Sequence, residues 1–194
     1  HIENMQQYKV PVVVALNRFD TDTDAELQTV IDTCAEYGVE VSLSEVFAKG
    51  GEGGKDLAEK VIAATERQES EYAPLYDVDL SIKEKVDIIV KQIYGGKGAV
   101  YTPKAEKEIK RLEELGLDKK PICMAKTQYS LSDNPLLLGR PQNFEITVSR
   151  VRVSNGAGFI VVETGNIMVM PGLPKKPAAE NIDIDENGRI SGLF

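Results

Sequence analysis

Val10-Pro11-Val12-Val13-Val14-Ala15-Leu16 carries no charge and four valines, and it runs straight into the polar stretch Asn17-Arg18-Phe19-Asp20. β-Branched side chains fit a pleated surface, and an uncharged run of this length reads as a strand buried on both faces, as in a parallel sheet. In open α/β sheets, ligands sit in the crevice beyond the carboxyl ends of the strands. Phe19 falls in the loop at that end. A flat ligand would give such an aromatic a reason to be exposed.

The next residues supply the crossover that a parallel strand needs. Thr23-Asp24-Ala25-Glu26 has the spacing of a capping box, and Leu27, Val30, Ile31 and Cys34 recur at helical spacing to about Tyr37. Gly38 is the expected stop, and Val39-Glu40-Val41-Ser42-Leu43 reads as a second strand. A right-handed strand–helix–strand unit brings both carboxyl ends to one side, so Phe47, four residues past Leu43, is expected beside Phe19. Two such rings can stack on an aromatic ligand, an attraction of about 1 kcal/mol beyond area burial. Asn17 and Glu45 can hydrogen-bond ring edges, and Arg18 or Lys49 can meet a carboxylate. The competing reading packs both rings beneath their loops. No nucleophile–base pair, metal cluster or pair of acids assembles from the spacing, and the one histidine is His1, so no catalytic or metal-ligating residue is assigned.

Lys49-Gly50-Gly51-Glu52-Gly53-Gly54-Lys55-Asp56 is similar to a phosphate-binding loop but fails at both ends. That loop begins on Gly and closes on Lys followed by a hydroxyl that meets magnesium. Here those positions are Lys49 and Asp56. The expectation is a glycine-rich turn into a helix over Asp56–Thr65 with Leu57, Val61 and Ile62 inward.

Gln68–Asp79 reads as an acidic surface connection. Ser81-Ile82-Lys83-Glu84 is a second capping box, opening a helix on Ile82, Val86, Ile89, Val90 and Ile93 that stops at Gly95-Gly96. A boundary there divides the chain into residues 1–94, an α/β unit carrying the crevice, and 95–194, a smaller α/β unit with a strand-rich end. In the second unit Ala99-Val100-Tyr101 is a strand, and Thr102-Pro103 starts a helix whose inward face is Ala105, Ile109, Leu112 and Leu115. Ile122–Ala125 is another strand, followed by Lys126-Thr127-Gln128-Tyr129-Ser130. Strands are expected at Phe144–Val153 and Phe159–Thr164, with Pro171–Pro174 as an ordered loop and Asn187-Gly188 as a hairpin turn.

A net charge of -8 argues against a general nucleic-acid or anionic-membrane binder. Without a signal peptide or a long apolar run, the expected location is cytoplasmic. Cys34 and Cys123 have apolar neighbours and read as buried free thiols. The chain begins without Met, and His1–Tyr8 reads as a helix feeding the first strand, as in a piece of a longer protein.

VPVVVALNRFDTDTDAEL, SLSEVFAKGGEGG, KTQYSLSDNP, RPQNFEITV, GAGFIV and MPGLPKKPAAENIDIDENGRISGLF occur in order. Together they resemble the C-terminal portion of formate–tetrahydrofolate ligase, over essentially the whole chain. That resemblance implies condensation of formate with tetrahydrofolate using ATP, through formyl phosphate, to give 10-formyltetrahydrofolate. It implies Phe19 and Phe47 on the two faces of the pterin and Leu43 as an apolar wall. The family usually carries Trp where this chain has Phe47, which keeps the π-face but loses area and the indole donor. It implies a homotetramer, with ATP and magnesium held mainly by an N-terminal domain not present here, so the fragment alone is expected to be inactive. A role from another class is a non-catalytic interaction or oligomerisation module. KTQYSLSDNP reads as an ordered loop rather than a substrate contact, and Gly156-Ala157-Gly158 as hairpin geometry.

Overall fold

The computed structural model describes residues 1–67, 69–167 and 175–192. A short helix α1 (Ile2–Gln6) leads into β1 (Val13–Asn17). The first capping box closes as its spacing requires: Thr23 Oγ1 accepts from the Glu26 amide, and the Glu26 carboxylate accepts from the Thr23 amide. It starts α2 (Asp24–Glu36), and the left-handed Gly38 then turns the chain into β2 (Glu40–Ser44). β2 pairs parallel to β1, Leu16 opposite Leu43 and Asn17 opposite Ser44.

The two strands form a sheet of their own, and no residue of β1 is fully buried. The uncharged valine run therefore announces the strand and its parallel partner but overstates its burial. Burial on both faces needs layers on each side of a broader sheet.

After β2 come a short helix α3 (Val46–Lys49), a 3-10 turn over Gly50–Gly54, and α4 (Lys55–Arg67), which packs against β1 and β2. Val61 and Ile62, expected inward, are instead 45% and 55% exposed. Polar anchors set the rotation of α4. The Lys60 ammonium donates to the Val41 carbonyl at 2.7 Å, and buried Ser42 donates to Asp56 at 2.6 Å. Leu57, Lys60 and Ala64 thereby lie on the inner side.

The acidic connection is tied to both halves. Tyr8 and Tyr72 stack at 6.5 Å, and the Tyr76 hydroxyl accepts from the Ile122 amide. Lys85, on α5 (Ile82–Ile89), is fully buried and donates to the carbonyls of Val78, Asp118 and Lys120. Desolvation holds its pKa below the ordinary lysine value. A π-helical turn, Val90–Tyr94, continues α5 and ends at left-handed Gly95.

The second sheet is mixed. Its strands are β3 (Gly98–Tyr101), β4 (Ile122–Ala125), β5 (Glu145–Ser154) and β6 (Phe159–Thr164), ordered β3-β5-β6-β4. β5 and β6 form the antiparallel centre, with a parallel strand added on each side. Helix α6 (Pro103–Glu114), capped by Thr102 Oγ1, joins β3 to β4. One core unites Ile82, Val86 and Val90 with Ile109 and Leu112 of α6 and with Ile146, Val148, Val151, Ile160 and Val162 of the sheet. Helix α5, counted with residues 1–94 because the boundary is set at the Gly95-Gly96 stop, packs with the second sheet. Leu115, expected on the inward face of α6, is 56% exposed at its end.

β5 keeps its apolar face through a change of phase. Ile146 and Val148 are buried at even positions and Val151 at an odd one, and the register with β6 shifts between Val148 and Arg150. The bulge inserts one residue and so returns the valines to the core face.

Cys34 is buried as expected, whereas Cys123 is exposed, because its neighbours Ile122 and Met124 take the core face of edge strand β4. A third, two-stranded sheet of β7 (Asp183–Ile184) and β8 (Ile190–Ser191) flanks the Asn187-Gly188 turn. The Pro171–Pro174 loop lies outside the described residues. Among the described residues, no helix is long and apolar enough to cross a membrane.

Candidate functional site

The register of β1 and β2 decides where the site can form. Asn17 stands opposite Ser44, and the Arg18 amide donates to the Ser44 carbonyl at 3.0 Å, carrying the pairing one residue past the strands. Phe19 and Phe47 therefore leave neighbouring strands at the same end. Phe19 sits in a turn closed by its own backbone: its amide donates to the Asp22 carboxylate at 2.8 Å, and its carbonyl accepts from the Asp22 amide at 3.0 Å. Its ring is 68% exposed, and that of Phe47 is 102% exposed. Neither is packed beneath its loop, so the competing packing explanation fails for both. Leu43 is half-buried and Asn17 is exposed.

The charged candidates form one cluster. Arg18 lies 3.6 Å from Asp24 and 4.0 Å from Glu45, and Lys49 reaches Glu45 at 2.5 Å. The Lys49 hydrogen bond, with charges from Lys49 and Arg18, holds the Glu45 carboxyl below its ordinary pKa against a smaller opposing effect of burial. Exposed pairs of this kind add little to stability and are screened by salt.

The glycine-rich stretch has a structural task here. The Glu45 amide donates to the Gly53 carbonyl at 3.1 Å, folding the 3-10 turn back on the start of α3. A Cβ on Gly53 would stand 2.5 Å from the Glu45 carbonyl carbon and oxygen. Only glycine permits that approach, and it fixes the segment from which Phe47 projects. Asp56, in the place where a phosphate loop has its hydroxyl, is held by Ser42 and Lys60, and Lys55 pairs with Glu52 at 2.7 Å. These residues do not fit nucleotide phosphates and magnesium. Among the described residues there is also no cluster of His, Cys, Asp or Glu able to hold a metal ion.

The sequence profile of the family described as formate–tetrahydrofolate ligase matches residues 1–194, the whole chain. The chain belongs to the formate–tetrahydrofolate ligase family. Members of that family are ligases of one-carbon metabolism, and their name states the two molecules joined, formate and tetrahydrofolate. In this member of the ligase family, Phe19 and Phe47 are exposed past the ends of β1 and β2, and the glycine-rich stretch packs against the segment that carries Phe47.

A concavity of about 630 Å³ lies between α1, the π-helical turn and the loop after β4. Lys126, Gln128 and Tyr129 of the KTQYSLSDNP motif line it. Ser130 and Ser132 bond each other and the carbonyls of Leu137 and Asn134, which agrees with reading this stretch as an ordered loop. That it also walls a cleft had no signal in the local spacing, because α1 and the π-helical turn come from distant parts of the chain.

Proposed function

We propose that this chain is the folate-binding part of an ATP-dependent formate–tetrahydrofolate ligase. The intact enzyme joins ATP, formate and tetrahydrofolate through formyl phosphate, giving 10-formyltetrahydrofolate, ADP and phosphate. The observation that carries this reading is the pair of solvent-facing rings, Phe19 and Phe47, set past the ends of two paired parallel strands. In this reading the pterin lies against both rings with Leu43 as its apolar wall. Asn17 and Glu45 meet polar ring edges, and Arg18 pairs with a glutamate carboxylate of the substrate.

ATP and magnesium belong to an N-terminal domain of the same protein, since the Lys49–Asp56 segment is committed to its own contacts. The folded units divide within the acidic connection ahead of α5, whose apolar face joins the second core. The enzyme works in the cytoplasm as a homo-oligomer. Exposed Leu136 and Leu138, 84% and 72% accessible, favour a second role for residues 95–194 in subunit contacts.

In the intact ligase, Phe19→Ala raises KM for tetrahydrofolate roughly tenfold, the equivalent of about 1.4 kcal/mol, and leaves KM for ATP unchanged. An unchanged folate KM, or equal rises in both, removes the stacking assignment. The 194-residue chain alone makes no 10-formyltetrahydrofolate from the three substrates; product formation by the purified chain would refute the division of labour.

A further inference from the structure

Neither Phe19 nor Phe47 lines the 630 Å³ cleft. Its walls include α1, which precedes β1, and Tyr37, which ends α2, so it lies toward the amino ends of the two strands. Its size is that of an ordinary small-molecule site.

The charge in it is unbalanced. Lys91, Lys126 and Arg140 line the cleft, and Glu3 is the single acidic residue among its lining. Arg140 grips both oxygens of Glu3, and Lys91 is held by Asp87 at 2.5 Å. Lys126 is left over. Its ammonium donates to the carbonyls of Thr127 and Ser130 and lies 5.5 Å from the centre of the Tyr94 ring, with no carboxylate in ion-pair reach among the described residues. A part-buried ammonium without a counter-ion is costly, and an anion entering the cleft would supply one. This concentration of cations sits in a chain of net charge -8.

The rest of the lining suits a ring. Tyr37 and Tyr129 are 41% and 65% exposed. The side-chain amides of Asn4, Gln7, Gln92 and Gln128 have no hydrogen-bond partner among the described residues, although their neighbour Gln6 has one. Unspent amides beside phenol rings match the donors and acceptors on the edge of a flat heterocycle. The π-helical turn that carries Gln92 and Tyr94 is a rare conformation, frequent at functional sites.

We propose that this cleft binds a small organic anion in which one acidic group, phosphate or carboxylate, is joined to a flat polar ring. The acidic group pairs with Lys126, and the ring lies on an exposed tyrosine with its edge toward the amides.

Calorimetric titration of the 194-residue chain tests this with AMP for the phosphate source and 4-aminobenzoate for the carboxylate source. Adenosine and inorganic phosphate serve as probes carrying only one of the two parts. Saturable binding of either two-part probe is expected, roughly tenfold tighter than either single-part probe, and roughly tenfold weaker in Lys126→Gln. Arg140→Gln, at a solvent-exposed side chain, leaves the Glu3 carboxylate free in the cleft and weakens binding as well; it decides the matter if Lys126→Gln does not fold. No saturable binding at millimolar concentrations overturns the proposal. So does binding of adenosine or phosphate as tight as that of the joined probes, or affinity unmoved in the folded variants. Loss of binding in Phe19→Ala would move the ligand to the other crevice and overturn it too.

Discussion

Gly53 illustrates how a residue with no side chain can be the support of a binding surface. Its carbonyl accepts from the Glu45 amide, and the approach leaves no room for a methyl group. Gly53→Ala forces the turn off α3 and should cost about 1–3 kcal/mol of stability, read as a lower urea midpoint at unchanged slope. An unchanged midpoint would mean that the turn relaxes freely and does not position Phe47. Lys49 and Asp56 make the stretch read as a glycine-rich turn into a helix, and a 3-10 turn into α4 is what forms. Its actual task was not legible, since the approach to Glu45 depends on the course of α3. Both phenylalanines lie exposed past the ends of β1 and β2, where parallel register leaves the chain little freedom.

Among the elements, helix starts and stops were the best announced. Both capping boxes close, Thr102 caps α6, and Gly38, Gly95 and Gly116 take left-handed conformations. These signals are local, so the sequence carries them whole. Faces that depend on a partner were announced less well. Periodicity alone turned Val61 and Ile62 inward, but the bonds from α4 to β2 through Lys60 and Asp56 choose another side. Cys123 faces outward because its neighbours Ile122 and Met124 take the core face of β4, and the edge position leaves its own face uncovered. The bulge in β5 is the clearest element-scale device. Inserting one alanine after Ser149 adds a second extra residue, so it should move Val151 and Val153 to the wrong face and cost at least about 3 kcal/mol, whereas Ser149→Ala, which loses one bond to the Glu163 carbonyl, should cost about 1 kcal/mol. Urea unfolding of both variants separates the two, and equal small losses would show that the register shift carries no packing.

At the scale of the whole molecule, the first two of the three sheets among the described residues differ sharply in burial. The second sheet, roofed by α5 and α6, holds the core of fully buried aliphatic side chains. The first sheet is small and part-exposed, and it presents two rings that contribute little to its own packing. In the proposed function, stability and substrate binding rest on different residues, and substitutions should separate them. Family membership was readable because several long motifs occur in order over residues 1–194, and the family match spans the same residues. The anion cleft was not readable, since three distant segments build it. The most direct measurement is equilibrium binding of tetrahydrofolate to the 194-residue chain, its Phe19→Ala variant and its Phe47→Ala variant, each with its unfolding midpoint. The account predicts affinity lowered roughly tenfold in each variant, with stability changed by less than about 0.5 kcal/mol. Equal affinity in all three chains would contradict it.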